Sequence, residues 1–162
     1  MNGFTIEDQI IDVELDAYRN ELASAWQEVD LPLGVAKALM CIHEHLYEEQ
    51  LNVAFVRESC KLRNNNVSSR FKRCVGVGMR AYIERHRIGT ARRLLGNDEP
   101  RVLAVAWAVG YSDVETFERA FKRCEQCCPS RFRSMLASGK RTPETGYQDR
   151  SSRTEVKTGS ED

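Results

Sequence analysis

A chain of 162 residues has room for one domain with appendages. Apolar residues at 41% and charged residues at 30% allow a packed core and exclude a disordered chain, and no run approaches the roughly eighteen uninterrupted apolar residues of a membrane span. The net charge of zero is unevenly divided: residues 1–50 carry −9, residues 51–141 carry +11 and residues 142–162 carry −2, so a basic middle suited to a polyanion follows an acidic front. The opening MNGFTIEDQIIDVELD lacks the basic and apolar regions of a secretory leader, which predicts a cytoplasmic chain whose six cysteines stay reduced.

In chain order, residues 5–28 read as an amphipathic helix, with Ile11, Leu15, Tyr18, Leu22 and Trp26 three or four apart. Asp30, Pro32 and Gly34 punctuate it, and a second helix over 33–49 follows with Val35, Leu39, Ile42 and Leu46 on one face. Shorter helical patterns begin at Asn52. Residues 79–96 form the longest helix of the basic block, with Tyr82, Ile83, His86, Ala91, Leu94 and Leu95 as its apolar side. After Leu136 the sequence is polar without an apolar period, which predicts a disordered tail over 137–162. No stretch alternates as a strand would, so the expected fold is all-α.

The tetrapeptide FKRC occurs at Phe71–Cys74 and again at Phe121–Cys124, fifty residues on. Ahead of the second copy, Val102, Val105, Ala106 and Val109 form the buried stripe of a short helix, Pro100 suits its first turn and Gly110 its left-handed end. Ser112 and Glu115 have the spacing of a capping box that starts another helix, which buries Phe117, Ala120 and Phe121. Two short helices about a glycine turn make a helix-turn-helix. Ahead of the first copy, Val53, Val56, Cys60, Leu62, Val67 and Phe71 give a weaker version of the same unit. Arg57 stands in the place of Ala106, and no glycine marks the turn. FKRC therefore closes the second helix of each of two units, and helix 79–96 lies between them.

At these residues the chain resembles the DNA-binding domain of AraC/XylS-type transcription regulators. The resemblance runs over about 33–133 and is carried by Phe71-Lys72…Gly76, Tyr82-Ile83…Arg87…Ala91-Arg92-Arg93-Leu94-Leu95, Val105-Ala106…Val109-Gly110-Tyr111-Ser112…Phe117…Ala120-Phe121-Lys122 and Pro129-Ser130-Arg131-Phe132-Arg133. Arg57, Arg63, Asp98 and Gln126 depart from the family pattern, which has Ala, Ser, Thr and Gly there. The resemblance implies two helix-turn-helix subdomains joined by a long linker helix. An acidic helical segment at 1–30 precedes the domain at 31–136, and the tail at 137–162 follows it.

It implies further that each second helix enters the major groove of double-stranded DNA, so that the chain reads two segments of an asymmetric site. In unit one Asn65, Ser68 and Ser69 are expected to meet base edges, while Arg63, Arg70, Lys72 and Arg73 hold phosphates. In unit two Val114, Glu118 and Arg119 take the base-facing places, Lys122 and Arg123 the phosphates, and Glu115 is read as the partner of Ser112 in the cap. Two glutamates facing a polyanion suggest that unit two orients more than it discriminates. The alternative reading is a protein-interaction module that binds RNA polymerase or another regulator without reading sequence.

Cys124, Cys127 and Cys128 lie beside Lys122 and Arg123; the preferred reading is small helix-end hydrophobes, the second a redox or metal switch. Cys41 and His45 share a helix face, but two ligands without a third do not make a metal site. No nucleophile, phosphate-cradling loop or acid–base pair has motif-grade spacing, so neither an enzyme nor a cofactor is expected. The apolar stripe of residues 5–28 is equally compatible with packing on the domain and with a homodimer; shielding of the basic face by its acid is a third possibility.

Overall fold

The first helix starts on a reciprocal cap. The Thr5 hydroxyl accepts the Asp8 amide at 3.2 Å, and the Asp8 carboxylate accepts the Thr5 amide at 3.0 Å. From there the computed structural model describes residues 5–63 and 66–139, and the described residues form eight helices and no strand. They are α1 (Ile6–Ala25), α2 (Leu33–Glu44), α3 (Val53–Ser59), α4 (Asn66–Val75), α5 (Met79–Leu95), α6 (Val102–Ala108), α7 (Val114–Glu125) and α8 (Pro129–Ala137). Most of the tail expected at 137–162 lies outside the described residues, and Ala137 itself closes α8.

The helices enclose two cores. In the first, α2, α3, α4 and the front of α5 bury Val35, Leu39, Ile42, Leu46, Val56 and Phe71. In the second, the rear of α5 with α6, α7 and α8 buries Ile88, Leu94, Val105, Phe117, Phe121 and Phe132. Phe71 and Phe121, the aromatic residues of the two FKRC copies, are both fully buried, each the anchor of its own core. Helix α5 lines both cores, because its apolar residues change side partway along: Tyr82 and Ile83 face the first, Ala91 and Leu95 the second.

Helix α1 packs on the domain and crosses both units. Its stripe buries Leu22 in the first core and Ile11 in the second. Where it crosses α5, the Tyr18 hydroxyl bonds His86 Nδ1 at 2.9 Å and lies against Gly89. A Cβ at that position would sit 2.5 Å from the hydroxyl, so the approach needs a glycine. Ion pairs fix the ends of the crossing. Glu21 grips the Arg93 guanidinium with both oxygens, and Glu7 accepts the Arg101 amide at 2.8 Å and its guanidinium at 3.3 Å. Near the end of α1, the Trp26 indole donates to the Tyr82 hydroxyl at 3.1 Å, which also bonds the buried His43 Nε2 at 2.9 Å.

One side chain joins the units directly. Arg87, buried on α5, donates through Nε to the Leu46 carbonyl at 2.8 Å and through Nη2 to the Glu48 carbonyl at 2.5 Å, both just beyond α2. Its Nη1 donates to the Gly110 carbonyl at 3.1 Å, in the turn of unit two, and the guanidinium lies over the Tyr111 ring at 5.7 Å. Gly110 has φ +92°, the left-handed end expected of it, and a Cβ there would come within 2.9 Å of both the guanidinium and the Tyr47 carbonyl.

Two stability predictions follow from these buried groups. Arg87→Ala removes a donor from three carbonyls at the junction, of which Glu48 keeps the Leu51 amide, so urea unfolding should show a loss of about 2 to 3 kcal/mol; a loss below about 1 kcal/mol would mean that the junction does not depend on it. Burial holds the His43 pKa down to about 4 from 6.5. The unfolded chain therefore takes up a proton that the folded one refuses, and stability present above pH 6.5 is lost as pH falls toward 4, by about 3 kcal/mol in all. Unfolding free energies measured across pH 7.5 to 4.5 should show that decline, and His43→Gln should remove most of the slope.

Candidate nucleic-acid interface

Each unit presents its second helix outward because the apolar residues of that helix occupy one side only. In α4, Val67, Phe71 and Val75 turn into the core and Ser68, Ser69, Arg70, Lys72 and Arg73 are exposed. In α7, Phe117, Ala120 and Phe121 turn inward, Val114 is half-buried, and Glu115, Glu118, Arg119, Lys122 and Arg123 are exposed. Arg63 is exposed at the approach to α4. Asn65, assigned to base reading from the sequence, lies outside the described residues.

The two turns are built differently. Helix α7 starts on Asp113, whose carboxylate accepts the Thr116 amide at 2.7 Å, and that bond holds its pKa below the usual carboxylate range. The capping box expected from Ser112 and Glu115 is thus displaced by one residue: Ser112 precedes the cap and Glu115 is an exposed residue of the first turn. A carboxylate at the cap outcompetes a hydroxyl one position earlier, since its charge also meets the positive end of the helix. In unit one, Asn52 caps α3 by accepting the Phe55 amide at 2.9 Å, and the turn runs through Lys61 at φ 51° with the Leu62 amide on the Arg57 carbonyl at 2.8 Å. Helix α3 buries Val56, where α6 buries both Val105 and Ala106; Arg57 is exposed.

Internal pairing sorts the basic side chains. Arg93 and Arg101 bond α1, Arg92 lies 3.4 Å from the buried Glu125, and Arg87 serves the junction. Arg123 is gripped by Glu84 of α5, with Nε to Oε1 at 3.0 Å and Nη2 to Oε2 at 2.8 Å. Arg119 folds along its own helix, Nε to the Glu115 carbonyl at 3.4 Å and Nη2 to Thr116 Oγ1 at 3.3 Å. Among the described residues, no ion pair engages Arg63, Arg70, Lys72, Arg73 or Lys122, so the charge available to an outside anion concentrates on unit one.

Between the units runs a cleft of about 590 Å³ walled by Arg80, Glu84 and Arg87 of α5 and by Thr116 and Arg123 of α7. The 3.6-residue repeat puts Tyr82, His86, Gly89 and Arg93 on the side of α5 that meets α1, and Arg80, Glu84 and Arg87 on the opposite side. The acid of α1 therefore does not cover the cleft. Arg80 and Glu84 were not singled out from the sequence, where a charge on a long helix reads as solvated, and Arg87 entered only as part of the family pattern, without a role.

Cys124 is half-buried with Sγ 4.0 Å from Glu84 Oε1, Cys127 is buried, and burial pushes both thiols up; Cys128 is exposed at the start of α8. Among the described residues no group of three or more His, Cys, Asp and Glu converges, and no helix is long and apolar enough to cross a membrane.

A family model described as a helix-turn-helix domain matches residues 61–135. The arabinose operon regulatory protein of Escherichia coli is 30% identical over 100 residues, which is 62% of this chain and 34% of that protein. The regulator AlkR of Acinetobacter baylyi is 28% identical over 111 residues, 68% of this chain and 36% of its own. The chain spans about a third of the length of these curated relatives. Among solved structures, the C-terminal domain of AraT, a response regulator from Geobacillus stearothermophilus, shares the fold with a TM-score of 0.63 at 22% identity, over 74% of this chain and 95% of that one.

The Glu84–Arg123 pair sets a testable balance. Glu84→Gln removes a negative charge from the cleft and frees the guanidinium for a phosphate, so affinity for duplex DNA should rise about threefold and the log–log salt slope should steepen by about one. Fluorescence anisotropy of a labelled duplex across a salt series measures both; an unchanged slope would mean that Arg123 does not reach the backbone.

Proposed function

Since the chain carries a DNA-binding domain of the AraC/XylS type, we propose that it is a transcription regulator that reads two major-groove segments of one asymmetric DNA site in the cytoplasm. The observation that carries the reading is that α4 and α7, each with an exposed polar face, are held at the two ends of α5, each by its own core. Helix α5 has 17 residues and is about 25 Å long. With the recognition helices offset from its ends, that length suits two grooves about 34 Å apart on one side of a duplex.

Unit one supplies sequence discrimination. Its short polar side chains, Ser68 and Ser69 with Asn65, meet base edges, while Arg63, Arg70, Lys72 and Arg73 hold the flanking phosphates. Unit two supplies orientation: Val114, Glu118 and Arg119 face the bases, but Arg119 must leave its own helix to reach them, and Lys122 and Arg123 take phosphates. The stripe through which residues 5–28 would dimerise is already occupied by α2 and α5, which closes that route to a homodimer. A contact to RNA polymerase has its best support at Leu103 and Trp107, exposed one turn apart on α6.

Enrichment of duplexes from a random-sequence library tests the reading. The expected result is an asymmetric motif of two blocks about one helical turn apart. Asn65→Ala should blur the first block, and Arg119→Ala should weaken binding with little change of motif. A motif that follows Arg119 and ignores Asn65 would reverse the division of labour. Weak salt-sensitive binding with no enriched motif would overturn sequence reading and leave the interaction module.

A further inference from the structure

Two thiols nineteen residues apart meet in unit one. Cys41 lies in α2 with its side chain buried, and Cys60, half-buried, ends α3. Cys60 Sγ donates to the Lys37 carbonyl at 3.4 Å. That carbonyl is one helical turn before Cys41, so the bond sets the Cys60 sulfur against the turn of α2 that carries Cys41. Both thiols line one surface pocket together with Met40, Ser59 and Lys61.

The pair differs from the other cysteines in what surrounds it. Cys74 is exposed on α4, Cys124 faces Glu84, and Cys127 and Cys128 are chain neighbours. Bonding the two sulfurs at about 2.05 Å requires one of them to move toward the other. One partner can make that movement: Cys60 sits where a seven-residue helix gives way to a turn. The other is fixed in the first core.

We propose that Cys41 and Cys60 form a redox-active dithiol that a hydroperoxide converts to an intramolecular disulfide, tying α2 to the turn that leads into the recognition helix of unit one. Cys60, the more accessible sulfur, attacks the terminal peroxide oxygen; the O–O bond breaks, giving a Cys60 sulfenic acid and, after proton transfer, an alcohol or water. Cys41 then attacks the sulfenic sulfur; the S–S bond forms, the S–O bond breaks, and the thiol proton leaves with the hydroxyl as water. In sum two thiols lose two electrons and two protons, and the hydroperoxide is reduced to an alcohol and water. Cys41 is the resolving partner: burial first, and then the thiol of Cys60 beside it, push its pKa up, so it is a poor first nucleophile toward peroxide.

The tie acts on α4, because α4 seats Val67 and Phe71 in the core that α2 helps to build and is entered from the turn being pulled. Oxidation therefore re-seats α4 and weakens DNA binding, a consequence that rests on the proposed function, whereas the disulfide itself does not.

The full chain, reduced and then treated with hydrogen peroxide, tests both parts. Mass spectrometry after alkylation should show one crosslinked peptide pair joining Cys41 to Cys60, with the thiol titre falling from six to four and restored by dithiothreitol. Cys60→Ala, at the half-buried position, should abolish the loss, and Cys74→Ala should leave it. Crosslinks among other cysteines, or a Cys60 sulfinic acid without a crosslink, would overturn the dithiol; the wild-type map decides this even if a variant fails to fold. Anisotropy of a labelled duplex should show the oxidised chain binding about fivefold or more weaker. Equal affinity in both states with the crosslink present would overturn the control of DNA binding. A crosslink with no DNA binding in either state would instead tell against the proposed function and leave the dithiol standing.

Discussion

The guanidinium of Arg87 bonds carbonyls from both halves of the molecule, and the arrangement of those halves depends on it. Two small cores that share one helix could rotate about that helix, because apolar burial is non-directional and each core is satisfied separately. Hydrogen bonds are directional. A planar fork that donates at once to Leu46, Glu48 and Gly110 fixes unit two against the end of α2 in distance and in angle. Its partners are backbone carbonyls just past helix ends, where intrahelical donors run out. The same contact explains Gly110 twice over: its φ closes α6, and its missing side chain admits the guanidinium.

A second brace crosses the first from the opposite side of α5. Helix α1 places Ile11 in one core and Leu22 in the other, and its Glu7 and Glu21 reach Arg101 and Arg93. These ion pairs are exposed and individually weak. Their weight lies in position, since each holds one end of a helix whose middle is seated by Tyr18 on Gly89. The acidic front and the basic middle are therefore partly a matched pair within the chain. What remains for an outside polyanion is smaller than the segment charge implies and lies mainly around α4.

Much of this was legible in the letters. Periodic apolar residues repeat in a way that survives sequence drift, so Phe71, Phe121 and the stripe of α6 pointed to two units, and a glycine after an apolar stripe pointed to the turn. Legibility ended where a residue type has two ordinary uses. A basic residue on a long helix reads as solvated, and Arg87 is buried because its acceptors are carbonyls, which leave no mark in a sequence. S-x-x-E at Ser112 and D-x-x-T at Asp113 overlap by one position, and only the backbone decides between them. The stripe of α1 announced a contact but not its target. Cys41 and Cys60 belong to different helices, so no local period could pair them.

On the proposed two-groove reading, the braces have a cost for recognition that falls unequally on the two units. Arg87 and α1 leave the junction little freedom, so a duplex that does not match the spacing of α4 and α7 must itself deform or lose one reader. Within that frame the units differ in what they hold ready. In unit two, Arg119 is laid on its own helix and Arg123 is held by Glu84, so a DNA contact by either would first require breaking protein–protein bonds. In unit one, the basic residues of α4 face solvent without an ion pair among the described residues, but the turn beneath them lacks a glycine and follows a helix of seven residues. A rigid junction with one prepared reader and one restrained reader favours an encounter that starts at unit one and is completed at unit two. On that order of events, anything that shifts α4 acts on the first step, and anything that loosens Glu84 acts on the second.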